Sequence, residues 1–266
     1  MDKRATGLTS DTWTGLKAYT GARIALGRAG SSLPTRAHLA FQLAHARTRD
    51  AVRLPLDVDA LARRLDALGF KSLPVESQAI DRDDYLQHPD RGRRLSATSA
   101  DRLRAGRPET PSDVALVVAD GLSAIAIERH AVPLLQILEP RLKKMGLTRS
   151  PIVLVRQGRV AVADAVAVAL GCRMAVILIG ERPGLSSPDS MGIYFTFNPH
   201  AGCPDALRNC ISNIHAAGLA YPVAVDRLIY LIGEADRLKL SGVALKDEST
   251  PTETRQPAER GNFLLD

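Results

Sequence analysis

Two kinds of hydrophobic pattern follow one another along the chain. Up to about residue 106, apolar residues recur three and four positions apart between polar turns. Leu16, Tyr19 and Ile24 follow Thr12-Trp13-Thr14, a second stripe runs through Ala37, Phe41, Ala44 and Ala51, and a third through Leu61, Leu65 and Leu68. This spacing predicts helices, with Thr35 as a cap and Gly69 as a stop. Residues 27–34 form a glycine-rich break, 88–94 a loop of clustered charge, and 98–104 a further short helix.

Beyond Gly106-Arg107-Pro108 and Pro111 the pattern changes. Residues 114–119 are continuously apolar and predict a buried strand, Asp120-Gly121-Leu122-Ser123 a turn, and Ser123 a helix start. A helix then runs through Leu134, Leu135, Leu138 and Leu142 to Gly146. Strands are expected at 152–155, 174–179 and 192–197, and helices at 162–170, closed by Gly171, and at 221–240. Apolar strands alternating with helices predict a parallel sheet covered on both faces. The expected fold class is therefore α/β. A mostly helical N-terminal region (1–106) precedes a Rossmann-like domain with a mostly parallel sheet (107–245), and a polar, frayed tail (246–266) ends the chain.

Composition sharpens this picture. Of 266 residues, 45% are hydrophobic but only 4% aromatic, so the core must be Leu, Val, Ile and Ala. No apolar run approaches the roughly 20 residues of a membrane helix, and Met1–Ser10 lacks a signal-peptide core, so neither membrane insertion nor secretion is expected. Three cysteines without a C-x-x-C pair argue against a disulfide framework and for a reducing, intracellular setting. Residues 1–106 hold 18 Lys or Arg against 12 Asp or Glu, whereas 107–266 hold 17 of each, so the net charge of +6 sits in the first part. A solvated basic surface, an acidic protein partner and nucleic acid are the open readings. The arginines are not interleaved with aromatics and no nucleic-acid-binding motif occurs, which argues against the last.

Ligands of open α/β sheets bind beyond the carboxyl ends of the strands. Segments 120–123, 156–160 and 180–184 fall there, each with a glycine that admits close approach to the backbone, and 209–215 is polar for its position. Familiar catalytic signatures fail: there is no G-x-G-x-x-G, no phosphate-binding loop and no nucleophile elbow. Ser123 reads as a helix cap. The six histidines show no metal-ligand spacing, and Cys210 and His215, taken as helix-borne, would face apart. The plain reading of Glu181 is an ion pair with an arginine. No catalytic side chain and no metal site is assigned. A self-sufficient enzyme with a nucleotide site and a nucleic-acid-binding module built on the basic half are the rival classes.

At these same loops the chain resembles the small (light) subunit of ethanolamine ammonia-lyase. The likeness runs from about Thr20 to Val243. Its pieces are Thr20-Gly21-Ala22-Arg23-Ile24 with Gly27-Arg28-Ala29-Gly30, then Tyr85-Leu86, Pro89-Asp90 and Gly92-Arg93-Arg94-Leu95, then Asp120-Gly121-Leu122-Ser123. Gly158-Arg159-Val160, Gly180-Glu181-Arg182-Pro183-Gly184-Leu185 and Cys210-Ile211-Ser212-Asn213-Ile214-His215 complete the series. The resemblance implies a lyase that converts ethanolamine to acetaldehyde and ammonia by a radical route, using adenosylcobalamin. It also implies a TIM-barrel large subunit that binds ethanolamine, a hetero-oligomer of several heterodimers, and cobalamin contacts at Val160, Glu181 and Cys210. None of the six histidines has Asp two residues earlier, so an Asp-x-His-x-x-Gly motif is missing and a base-on cofactor is implied. A bacterial cytoplasmic location follows. The resemblance also implies an ethanolamine-utilisation microcompartment, although the relatives directed there carry a longer N-terminal extension, which puts encapsulation in doubt here. Arg23, Arg28, Arg93 and Arg94 are candidates for partner docking, against the alternative that they brace this chain's own fold.

Overall fold

The computed structural model describes residues 7–249. In chain order the elements are β1 (Leu8–Thr9), β2 (Arg28–Ala29), α1 (Thr35–Arg53), α2 (Val58–Asp66), β3 (Ser72–Glu76), α3 (Arg82–Gln87), α4 (Ala97–Ala105), β4 (Val114–Ala119), α5 (Ala124–Lys144), β5 (Ile152–Arg156), α6 (Val162–Leu170), β6 (Met174–Gly180), β7 (Met191–Phe197), β8 (Arg208–Ile214) and α7 (Tyr221–Leu238). Short 3-10 turns join them, the first at Thr12–Ala18. Strands β3 to β8 form one six-stranded sheet in the order β3-β5-β4-β6-β7-β8. The pairs among β3, β5, β4 and β6 are parallel. The mixed α/β architecture with a mostly parallel sheet is thus present.

The period of two along each strand decides which helix it meets. Val114, Leu116 and Val118 of β4 face α2, α5 and α7, whereas Ala115, Val117 and Ala119 face α4 and α6. Both layers are dry, and all six residues of β4 are buried. Fully burying a Val, Leu or Ile side chain contributes about 1.5–3 kcal/mol, so this central strand anchors the domain. Ser123 caps α5 by accepting from the Ala126 amide, and Gly171 ends α6 in the left-handed region. Pro133 and Pro140 lie inside α5, which nevertheless runs unbroken.

Four expectations are corrected. First, Ser72–Glu76, within the stretch read as mostly helical, adds a parallel edge strand to the sheet, so the sheet begins before residue 107. Proline at position 74 hid it, and an edge strand tolerates proline because one side of its backbone is unpaired. Second, β7 and β8 run antiparallel, since hairpin-like connections replace helical crossovers after β6. Third, 208–214 is a strand, not a helix. Fourth, Ile24 lies outside any helix, and Pro34, not Thr35, occupies the cap position of α1, without a side-chain cap bond. Residues 250–266 of the expected tail lie outside the described residues. Among the described residues no helix is long and apolar enough to cross a membrane.

Candidate functional site

Alternation along the strands carries three distant residues to one side of the sheet. Ala175, Ile177 and Ile179 of β6 face α6, so Glu181, just past the strand, projects the same way. Tyr194 of β7 packs against that same core, and Cys210 of β8 is its register partner. Val160, in the turn between β5 and α6, packs there as well. Helix α6 rests on β4 and β6. Beyond it the strip over β7 and β8 stays open, with Cys210, Ser212 and Asn213 exposed. Glu181 and Cys210 therefore border one shelf, and Val160 lies on the same face of the sheet, in the turn between β5 and α6.

Glu181 is fixed at its free end. Its Oε2 accepts from Ser190 Oγ at 2.5 Å and from the Asn213 amide at 3.2 Å. Its Oε1 lies over Gly192, where a Cβ would come within 2.9 Å. Tyr194 and Cys210 share a side-chain hydrogen bond. Partial burial pushes the Cys210 thiol above its ordinary value and the Glu181 carboxylate adds to this, while the bond to Tyr194 works the other way. At neutral pH Cys210 is a neutral thiol, a weak hydrogen-bonding group and not a nucleophile.

The Val160 turn rests on a buried polar network. Asp120 Oδ1 accepts from the Gly158 amide at 3.0 Å, and Oδ2 from Arg82 Nη1 at 3.0 Å. Tyr85 donates its hydroxyl to the Gly158 carbonyl at 3.1 Å. The guanidinium groups of Arg82 and Arg159 stack on the Tyr85 ring at 4.7 and 4.2 Å. Burial pushes the Asp120 carboxyl up to about 6, with Arg82 and the amides of Gly158, Gln157 and Gly121 pulling it back. Gly121 and Gly180 meet backbone to backbone: a Cβ on either would lie 2.2 Å from the Gly180 oxygen or 2.1 Å from the Ser123 oxygen, respectively. This contact sets where β6 ends and Glu181 begins. Residues 187–190 are tied down by Ser123 Oγ donating to the Pro188 carbonyl at 2.8 Å and by Arg129 pairing with Asp189 at 2.8 Å. Reading the sequence missed Arg82 and Tyr194; their signals are a charged residue in a short helix without a surface stripe and a polar ring inside an apolar strand.

The remaining candidates separate. Arg23, Arg28, Arg93 and Arg94 are all exposed; Arg93 pairs with Asp205 at 3.3 Å, and Arg23 donates to the Leu185 carbonyl at 3.1 Å. His215 bonds the Asn213 side chain at 2.9 Å. Burial pushes Cys172 up to about 11, and Cys203 is raised as well. Among the described residues no three His, Cys, Asp or Glu side chains gather as a metal site would require. A crevice of about 720 Å³ opens elsewhere, at the ends of β3, β4 and β5 between Leu56, Ser77, Asp120 and Gln157. The shelf is open to solvent and brings carboxylate, thiol, hydroxyl and amide groups together beside Gly192.

The sequence model of the ethanolamine ammonia-lyase light chain (EutC) family matches residues 10–246. The chain is 56% identical over 260 residues to the ethanolamine ammonia-lyase small subunit of Azotobacter vinelandii, covering 97% of this chain and 96% of that one. It is 53% identical over 263 residues to the corresponding Pseudomonas fluorescens (strain SBW25) subunit, covering 97% and 95%. Against the Ralstonia nicotianae subunit it is 54% identical over 261 residues, covering 97% and 96%.

Proposed function

This chain belongs to the ethanolamine ammonia-lyase light-chain family, and on that premise we propose that it is the small subunit of an adenosylcobalamin-dependent ethanolamine ammonia-lyase. In this reading it acts only in complex with a TIM-barrel large subunit that binds ethanolamine. Several such heterodimers make up the enzyme, in the bacterial cytoplasm. The Rossmann-like domain forms one wall of the cobalamin site, and the basic N-terminal part docks the partner.

The observation that supports the reading is that Glu181 and Cys210, distant in sequence, lie together on one open shelf beside Gly192, with Val160 on the same face of the sheet. Glu181, already fixed through Oε2, has Oε1 left to accept from the cofactor's amide side chains. Cys210 offers a neutral thiol, and Val160 an apolar contact with its backbone groups. When bound, base-on adenosylcobalamin supplies the radical chemistry that releases acetaldehyde and ammonia from ethanolamine. This chain's residues hold and orient; none is assigned to the substrate.

Ultrafiltration of adenosylcobalamin with this chain, with a large subunit, and with both tests the shared site. Retention chiefly by the pair is expected. Equal retention by the large subunit alone would remove this chain from the cofactor site.

A further inference from the structure

The N-terminal arm, residues 7–53, is the barest part of the described chain. Of the 19 residues of α1 only Ala51 is buried, while Leu39, Phe41 and Leu43 of the helix, and Leu8, Trp13 and Leu33 before it, are exposed. Helices in proteins owe most of their stability to packing of an apolar face, so this one has unmet packing. The arm is also basic: residues 7–53 hold seven Lys or Arg and two Asp. Its chemistry suits a surface both apolar and acidic, and it disfavours a second copy of itself.

From this arm one side chain bonds the loop that follows β6. Arg23 Nη2 donates to the Leu185 carbonyl at 3.1 Å, while Thr48, whose hydroxyl donates to the Ala44 carbonyl at 2.8 Å, only approaches the Gly184 carbonyl at 3.4 Å. Both carbonyls sit at the tip of the segment whose first residue is Glu181. The tip is otherwise closed on itself, by amide-to-carbonyl bonds between Gly184 and Ser187 at 3.1 and 3.3 Å. The returning limb is held to α5 through Pro188 and Asp189, and the Glu181 amide donates to the Ser190 carbonyl at 2.9 Å. The outgoing limb thus rests on the arm, and the returning limb on the core.

We propose that Arg23 is a positioning residue that couples partner docking to the cofactor shelf. Packing of the large subunit against the arm steadies α1 and the segment before it. The arm in turn holds the Gly184-Leu185 tip, and through the Glu181–Ser190 closure it fixes the carboxylate that faces the shelf. Assembly and cofactor affinity become linked, because each is favoured by the same seated loop. The inference rests on the reading of this chain as a cobalamin-holding subunit, but its mechanical part stands on the arm and loop alone.

The test uses the complex of this chain with its large subunit, comparing wild type, Arg23→Ala, Arg23→Lys and, as a control at an exposed position outside the arm and the loop, Lys144→Ala. Hydrogen exchange of the amides at 182–187 is followed in the chain alone and in the complex, without cofactor. Half-saturating adenosylcobalamin is measured separately from kcat. Wild type and Lys144→Ala should gain roughly tenfold protection on assembly, and Arg23→Ala should lose most of it while still assembling. Half-saturation should rise about fivefold in Arg23→Ala with kcat at saturation nearly unchanged, and Arg23→Lys should recover part of it. Protection that is the same in all variants, or lost equally in Lys144→Ala, overturns the coupling. If protection follows Arg23 but the wild-type complex binds no cobalamin, the functional reading fails and the arm-to-loop linkage survives.

Discussion

The Asp120 carboxylate, at the end of β4, holds the Gly158 amide of the next strand's exit loop at 3.0 Å, while its other oxygen takes the buried Arg82 guanidinium at 3.0 Å. One side chain thus joins the short helix α3, the central strand and the turn that presents Val160. The geometry of the shelf depends on this joint as much as on the residues that border it.

Because folding raises the Asp120 pKa from 3.8 to about 6, the folded state binds a proton more tightly than the unfolded chain does. Its stabilising contribution is complete below about pH 4 and is lost as pH rises through 6, where the ionised group depends on Arg82. Arg82→Met removes that cation. At pH 7.5 the expected loss is about 3–5 kcal/mol, the usual result of leaving one partner of a buried pair. At pH 5, where the carboxyl can take up a proton, the loss should shrink. Urea denaturation at both pH values measures it; equal losses would show that the pair is not electrostatically coupled.

Gly180 and Gly192 make a contrasting pair. A Cβ at Gly180 meets backbone oxygens of Ser123 and Asp120 at 2.1 and 2.5 Å, whereas one at Gly192 meets only the end of the Glu181 side chain at 2.9 Å. Overpacking against rigid backbone costs about 3 kcal/mol or more, against a movable side chain under ~1 kcal/mol. Gly180→Ala should therefore lower the Tm steeply or abolish folding. Gly192→Ala should fold normally and weaken cobalamin binding by displacing the carboxylate. Similar thermal scans for the two would contradict this account of the shelf floor.

Glu181→Gln keeps the size of the side chain and removes its charge. A hydrogen bond to a charged group contributes about 1.5–3 kcal/mol, so half-saturating cofactor should rise at least about tenfold while stability changes little. Cys210→Ala should have a smaller effect, about two- to fivefold, since a thiol is a weak partner. Steady-state kinetics of the complex at varied adenosylcobalamin measures both. A fall in kcat at saturation without a shift in half-saturation would move Glu181 from cofactor holding to chemistry.

Arg93 and Arg94 are exposed, and among the described residues their one ion pair joins Arg93 to the exposed Asp205 at 3.3 Å. Reversing both to Glu should leave folding intact and weaken association with the large subunit by at least about 2 kcal/mol if they meet acidic groups there. Sedimentation of the mixed subunits reads this directly. Undiminished association would confine docking to the arm and the other surfaces.

The parts of the fold that were legible in the sequence are those buried on both faces. The sequence pattern predicts Val114–Ala119 and Val162–Leu170 with the bounds they have, because a strand or helix buried between layers is almost continuously apolar. The strands at the margins were not legible. Residues 72–76 carry Pro74, and 208–214 read Arg-Asn-Cys-Ile-Ser-Asn-Ile, with only Arg208, Ile211 and Ile214 buried. That polarity is the mark of the open shelf: Cys210 and Ser212 are polar where no helix covers the sheet. Strand identity, in turn, brings Cys210 beside Tyr194, which no local pattern could reveal, since it depends on antiparallel register. The Asp120–Arg82–Tyr85 network was invisible for the same reason, as its members meet only through tertiary structure.

The central claim is that this chain is one half of an ethanolamine-cleaving enzyme. Release of ammonia or acetaldehyde from ethanolamine, with adenosylcobalamin present, should be measured for this chain alone, for a competent large subunit alone, and for the two mixed. The account predicts turnover only in the mixture. Turnover by the large subunit alone at the same rate, or none in the mixture, would contradict it.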